Sequence, residues 1–217
     1  MRWLITLLLL VFFQWYSYQA LKTAISNRWI LYGYVFFTVI IVGNLLFYTL
    51  ILERNTTNEP RLMYAIGFFL SLLIFQLLVS VILLAEDVFR IPQALYSFLK
   101  RVPEQTQFIP SRRKIVSQIA LGLASIPFAS LLYGMYRGKY NYKVLSYKLE
   151  FEDLPDAFDG FKITQISDIH SGSFDNQTKV QYGVDLVNQQ KSDLVLFTGD
   201  LVNNRADEIK PWIKIFN

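Results

Sequence analysis

Two stretches decide how the chain is read: Lys162-Ile-Thr-Gln-Ile-Ser-Asp-Ile-His-Ser-Gly172 and Asp193-Leu-Val-Leu-Phe-Thr-Gly-Asp-Leu-Val-Asn203. In the first, residues 161–167 form a short run with β-branched residues that predicts a strand, and Asp168-Ile169-His170 follows directly. In the second, residues 193–198 are almost continuously apolar, the kind of strand buried on both faces of a parallel sheet, and Gly199-Asp200 follows directly. Between them, residues 172–177 read as a loop. A helix is expected from about Thr178, because Val180, Val184 and Val187 recur on one helical face before Lys191-Ser192. Strand, helix, strand predicts a βαβ unit with a right-handed crossover. Both acidic groups then emerge at the carboxyl edge of the sheet, where open α/β sheets bind ligands.

The chemistry follows from that placement. Asp168 and His170 are two residues apart, so on an extended segment they point to one side and present a carboxylate oxygen and an imidazole nitrogen to one cation. Asp200, on the neighbouring strand about 5 Å away, adds a carboxylate able to bridge to a second cation. Gly199 allows the sharp backbone turn into the site. Oxygen and imidazole donors without sulfur suit Mn, Fe, Zn or Mg. Two such ions about 3.5–4 Å apart clamp a phosphoryl group and acidify a bridging water, which becomes the nucleophile for in-line attack on phosphorus. Taken singly, an Asp-x-His or a Gly-Asp is an ordinary turn or helix cap. Here both follow apolar strands, one helix separates them, and His170 is the only histidine in the chain.

Around this unit the pattern holds for about seventy residues. Val144-Leu-Ser-Tyr-Lys-Leu-Glu-Phe151 alternates as a strand, while Leu154-Pro155 and Asp159-Gly160 are turn signals. Residues 206–216 place Ile209, Trp212, Ile213 and Phe216 on one helical stripe, with Asp207 and Glu208 near its N-terminus. Residues 137–143 are expected to be a short polar linker, with the domain running over 144–217.

Upstream, the composition changes character. Residues 1–143 carry 14 Lys/Arg against 5 Asp/Glu, a balance of +9, whereas the rest of the chain carries 7 against 12, a balance of −5. The overall +4 is thus the sum of two unlike halves, and a generic nucleic-acid binder is excluded. Residues 3–21, 29–52, 62–85 and 115–136 contain no charged residue, and each is long enough to cross a hydrocarbon layer, which takes about 20 helical residues. Trp3, Trp15, Tyr16, Trp29, Tyr32, Tyr133 and Tyr136 sit near their ends, where aromatic rings occupy the headgroup level. The expectation is a multi-pass integral membrane region over residues 1–136, with the lipid bilayer as partner. No span carries an ionisable residue, which speaks against a transporter or channel.

Four spans place both termini on one side. Lys22, Arg28, Arg90, Lys100, Arg101, Arg112, Arg113 and Lys114 on one face outnumber Arg2, Arg54, Arg61, Arg137, Lys139 and Lys143 on the other, which favours an extracytoplasmic C-terminal domain. Ser111-Arg112-Arg113-Lys114 resembles a twin-arginine export signal and favours the same side, although basic residues also flank ordinary membrane helices. In the loop 88–114, Leu95, Leu99 and Val102 at helical spacing are compatible with a surface-lying amphipathic helix or a plain connector. With no cysteine, disulfides, thiolate metal sites and a thiol nucleophile are excluded.

The stretches 162–172 and 193–203 resemble the first two motifs of the calcineurin-like metallophosphoesterases, above all their membrane-anchored bacterial members, and Leu154-Pro155 through Phe158-Asp159-Gly160-Phe161 resembles the entry into their first catalytic strand. The resemblance implies that Asp168 and His170 bind one divalent metal and that Asp200 bridges two. It also implies that the βαβ unit is part of a four-layer α/β/β/α sandwich. That family continues with a Gly-Asn-His-Asp/Glu motif, a lone His and a Gly-His-x-His motif, none of which is found before Asn217. The expectation is therefore four transmembrane helices followed by an incomplete α/β domain, a fragment inactive on its own. The whole protein would be a membrane-anchored hydrolase of phosphomonoester, phosphodiester or pyrophosphate bonds, and the anchor associates it with lipid-linked phosphates. The alternative is a four-helix membrane scaffold with a catalytically dead domain.

Overall fold

The computed structural model describes residues 2–51, 60–100 and 110–216. It divides into two compact units, one drawn from Met1–Arg54 and Tyr64–Met135, the other chiefly Tyr136–Asn217.

The first unit is helical: α1 (Arg2–Ala24), α2 (Arg28–Leu46, continued by a π-helical turn Phe47–Ile51), α3 (Pro60–Lys100) and α4 (Pro110–Tyr136). Asn27 starts α2 by accepting a hydrogen bond from the Trp29 amide at 2.9 Å, which satisfies one of the donors a helix start leaves open. Among the described residues three helices are long and apolar enough to cross a membrane, over Arg28–Leu50, Arg61–Pro92 and Arg112–Tyr136. The expected span 3–21 is helical as α1. Its second half carries Gln14, Ser17 and Gln19, and it is not one of the three.

Small residues let these helices approach. Ala20 on α1, Val79 and Leu83 on α3, and Ala120 and Ala124 on α4 form one buried cluster with Tyr16. Polar side chains join the helices as well. Tyr34 Oη is 2.6 Å from Ser17 Oγ and donates to Gln14 Oε1 at 3.2 Å, and Gln76 Nε2 donates to Tyr34 Oη at 3.1 Å and to Gln14. Just beyond the charge-free run of α3, Glu86 and Asp87 both receive Arg113 of α4, with Nη1 2.8 Å from Asp87 Oδ1, and Tyr16 of α1 donates to Asp87. Both arginines of the Arg112-Arg113 pair thus reach across to α3, Arg113 closely and Arg112 with Nε 4.0 Å from Glu86 Oε1. The segment 88–100 is the continuation of α3 rather than a separate helix, a correction to the expected loop. Leu52, Arg54, Arg101 and Val102 lie outside the described residues.

In the second unit, β1 (Ile163–Ile166) and β2 (Leu194–Phe197) pair in parallel with Ile163 opposite Leu194 and Ile166 opposite Phe197, and α5 (Gln177–Gln189) lies between them in sequence. Asn176 caps α5 by accepting from the Lys179 amide at 3.0 Å. Buried Tyr140, Val180 and Trp212 form its core with Tyr142, Phe174, Ile209 and Ile215.

Four expectations are corrected. Residues 144–151 alternate in sequence but form no strand; a β-run needs a partner ladder, and among the described residues none pairs with it. β2 is not buried on both faces: its four side chains are 40–49% exposed. Residues 206–216 are a 3-10 helix (Ala206–Trp212) followed by a single α-turn, α6 (Ile213–Phe216). Pro211 lacks the amide hydrogen that an α-helical ladder would need there. Finally, residues 137–143, expected as a short polar linker ahead of the domain, include the 3-10 turn Gly138–Tyr140, and Tyr140 is buried in the domain core.

Candidate metal centre

The parallel ladder continues past the ends of both strands and sets the site. The Asp168 amide donates to Gly199 O at 3.0 Å, His170 to Asp200 O at 3.0 Å, and Ser171 to Leu201 O at 2.9 Å. The two post-strand segments are therefore zipped together residue by residue. Asp168, His170 and Asp200 each offer a ligand atom within 4.8 Å of the others. His170 Nε2 lies 3.5 Å from Asp200 Oδ2 and 4.0 Å from Asp168 Oδ1.

The backbone route differs from the one the sequence suggests. Asp168 and His170 do not share a side because the segment is extended; both are left-handed, at φ +54° and +47°, as is Asp200 at +59°, and Gly199 stands at +123°. Non-glycine residues in this region are uncommon and cost energy, and such residues concentrate at functional sites. Here they turn three side chains toward one point.

The donor set suits a hard or borderline divalent cation: two carboxylate oxygens, one imidazole nitrogen and no sulfur. Two ligands each about 2.1 Å from an ion stand about 3.0–3.4 Å apart at octahedral or tetrahedral angles. The 3.5 Å His170–Asp200 pair is already near that spacing, and the wider pairs reach it by a closure of about an ångström through side-chain rotation. The carboxylates of Asp168 and Asp200 are 67% and 62% exposed, so an ion has access. His170 directs Nε2 at the carboxylates while its Nδ1 is buried without a hydrogen-bond partner, so Nε2 is the nitrogen available to a cation.

Asp168 and His170 line a cleft of about 360 Å³ together with Lys139, Ile169, Ser173, Phe174 and Asn203. Asp200 is not part of that lining. Behind the cleft, buried Glu208 accepts the amides of Asn203 at 2.7 Å and Asn204 at 3.2 Å, and Asn203 Nδ2 donates to Ser173 Oγ at 2.9 Å. Gly172 packs directly on that carboxylate, leaving no room for a Cβ beside Glu208 Oε2. The loops following His170 and Asp200 are thus fastened to each other from behind.

Lys139, Tyr140, Asp175 and Glu208 have no motif in the sequence. Glu208 reads there as a helix-start charge, and nothing in the sequence signals its contact with the Asn203 and Asn204 amides. Burial pushes the Tyr140 phenol well above its ordinary pKa, and the Asp175 carboxylate adds to the rise. Burial also raises Tyr142, and a hydrogen bond from Arg205 lowers Asp207.

Comparison with known proteins extends over both units. Residues 1–139 match the family described as "probable calcineurin-like phosphoesterase, transmembrane domain", and residues 161–216 match the calcineurin-like phosphoesterases. A zebrafish (Danio rerio) transmembrane protein with metallophosphoesterase domain is 29% identical over 79 residues, 36% of this chain and 18% of that protein. An uncharacterised metallophosphoesterase of Helicobacter pylori is 30% identical over 115 residues, 52% of this chain and 30% of that protein. Another from Bacillus subtilis is 31% identical over 72 residues, 33% of this chain and 25% of that protein. The matched stretch spans less than a third of each of these relatives. No solved structure matches significantly.

Proposed function

Since the chain belongs to the calcineurin-like phosphoesterases that carry a transmembrane domain, we propose that it is the membrane anchor and first metal-binding half-site of a metal-dependent phosphoesterase. The observation that supports this is the convergence of Asp168, His170 and Asp200 within 4.8 Å at the carboxyl ends of two parallel strands. On this reading Asp168 and His170 hold one divalent ion and Asp200 is shared with a second, the ions being Mn, Fe, Zn or Mg. Such ions, when bound, supply Lewis acidity to a phosphoryl oxygen and acidify water. The chain's own contribution is to fix three donors on a zipped loop pair and to leave them accessible from a cleft. The substrate is a phosphomonoester, phosphodiester or pyrophosphate. The β1-α5-β2 unit is part of the family's layered α/β sandwich, α1 is a fourth span beside α2, α3 and α4, and the domain faces away from the cytoplasm.

The test is direct. The chain purified in detergent is titrated with Mn2+, and free Mn2+ is read by electron paramagnetic resonance. Asp200→Asn lowers the affinity at least about tenfold, the size of loss that even outer-shell substitutions cause. In the whole protein the same substitution abolishes Mn-dependent hydrolysis of an aryl phosphate. Unchanged Mn2+ binding in both Asp168→Asn and Asp200→Asn refutes the assignment. A reporter fused after Tyr142 reads the side of the membrane.

A further inference from the structure

Resting on the site just proposed, we infer that the segment joining α4 to the domain is a wall of the substrate cleft, with Lys139 as the phosphate-binding residue, and that the phosphate ester it takes is presented at a lipid surface. Three observations carry this.

First, the joining segment is built into the domain. Tyr140 Oη donates to Asp175 Oδ1 at 2.7 Å and accepts the amides of Asp175 and Asn176 at 2.9 and 3.2 Å, and its ring stacks on Phe174 at 6.4 Å. Tyr142 lies so close to α5 that a Cβ on Gly183 would be 2.9 Å from its ring. Second, Lys139 lines the same cleft as Asp168 and His170 and is the one cation in that lining. Its ammonium is aimed by Asp175 Oδ2 at 2.7 Å and Ser173 O at 3.3 Å. Ile169 and Phe174 give the cleft an apolar side beside this charge, a combination that matches a phosphate carried on an apolar body. Third, Lys139 follows Tyr136, the last residue of the membrane-length helix α4, by three residues. Three residues reach about 11 Å at most, less than the depth of a headgroup layer plus the reach of a lysine side chain. At the end of α4 the exposed Tyr136 stands beside Arg137, with Lys139 and Lys143 following, and Lys179 lies 5.6 Å from the Tyr136 ring. An exposed tyrosine among cations at the end of a membrane-length helix is the composition of a headgroup-level segment that meets anionic lipid.

A soluble phosphate ester and a lipid headgroup offer the same phosphate, so the test separates the sources. The chain is placed in phosphatidylcholine nanodiscs containing a minor share of phosphatidic acid and loaded with Mn2+, whose effect on phosphorus-31 relaxation falls steeply with distance. Relaxation of the phosphatidic acid phosphorus should rise well above that seen with Asp200→Asn, while soluble glycerol 3-phosphate added to the same sample is little affected. Lys139→Gln should weaken phosphatidic acid occupancy about fivefold, the scale of one partly exposed charge contact, with Mn2+ affinity kept. A flexible Gly/Ser insertion between Arg137 and Gly138 should abolish the lipid effect and leave Mn2+ binding intact. Equal relaxation of the soluble ester, or a lipid effect indifferent to both changes, overturns the inference while the metal site stands. Absence of Mn2+ binding in the unaltered chain overturns both.

Discussion

Removing Glu208 should loosen the candidate metal centre without touching a ligand. Its Oε2 accepts two amides, from Asn203 at 2.7 Å and Asn204 at 3.2 Å, and its side chain is only 6% exposed. Hydrogen bonds to an ionised group are each worth about 1.5–3 kcal/mol. Asn203 and Asn204 are exposed, so water recovers part of that in Glu208→Ala, and the net local loss is about 2 kcal/mol. The loss falls on the 171–173 turn and the 201–204 loop, the two segments that follow His170 and Asp200. In hydrogen exchange read by mass spectrometry, about 2 kcal/mol of local opening corresponds to roughly 30-fold faster exchange across these loops. Mn2+ affinity should fall about tenfold, as for other outer-shell contacts. Glu208→Gln keeps an acceptor oxygen and should stay within about 1 kcal/mol of the original. If Glu208→Ala exchanges at the unaltered rate over both loops, the carboxylate does not hold them and the reasoning fails.

Arg113→Leu leaves buried Glu86 beside Asp87 without their shared cation, and thermal unfolding in detergent should show a loss of about 3 kcal/mol, softened by Arg112 and Arg90, each 4.0 Å from one of the acids. Adding Glu86→Gln and Asp87→Asn should restore most of it; a single variant as stable as the original shows that the cluster is idle. The Tyr140 phenol is raised in the folded state, so its contribution is fully present below the ordinary phenol value near about pH 10 and is lost as pH rises beyond it. Denaturant midpoints followed from neutral to strongly alkaline pH should show this loss, and Tyr140→Phe should be less stable at neutrality with a flatter alkaline limb. Gly199→Ala forces a side chain into φ +123°, at a cost of about 1–3 kcal/mol, and should weaken Mn2+ binding by shifting Asp200; an unchanged titration would show that Asp200 tolerates the shift.

Features of the chain that depend on neighbours in sequence were legible from sequence. Three of the four charge-free runs specify helices long and apolar enough to cross a membrane, because a helix satisfies its own backbone and composition then governs the solvent it suits. Apolar runs ending in Asp168-Ile-His170 and Gly199-Asp200 specify strands with candidate ligands at their ends, and pairing these strands in parallel brings the three residues together. What the sequence could not specify depends on partners distant along the chain. The alternation of 144–151 predicts a strand only if another strand lies beside it, and Pro211 turns an apparently helical stripe into a 3-10 helix. Glu208 under Gly172, Arg113 between Glu86 and Asp87, and Tyr140 on Asp175 are contacts 26 to 36 residues apart. The left-handed turns at Asp168, His170 and Asp200 are likewise held from outside, by amides of one loop bonding carbonyls of the other. Local composition fixes which segments leave water and which residue types reach the sheet edge. Only the folded packing decides how they face one another, because the energy that holds a strained turn or a buried charge comes from atoms that sequence places far away.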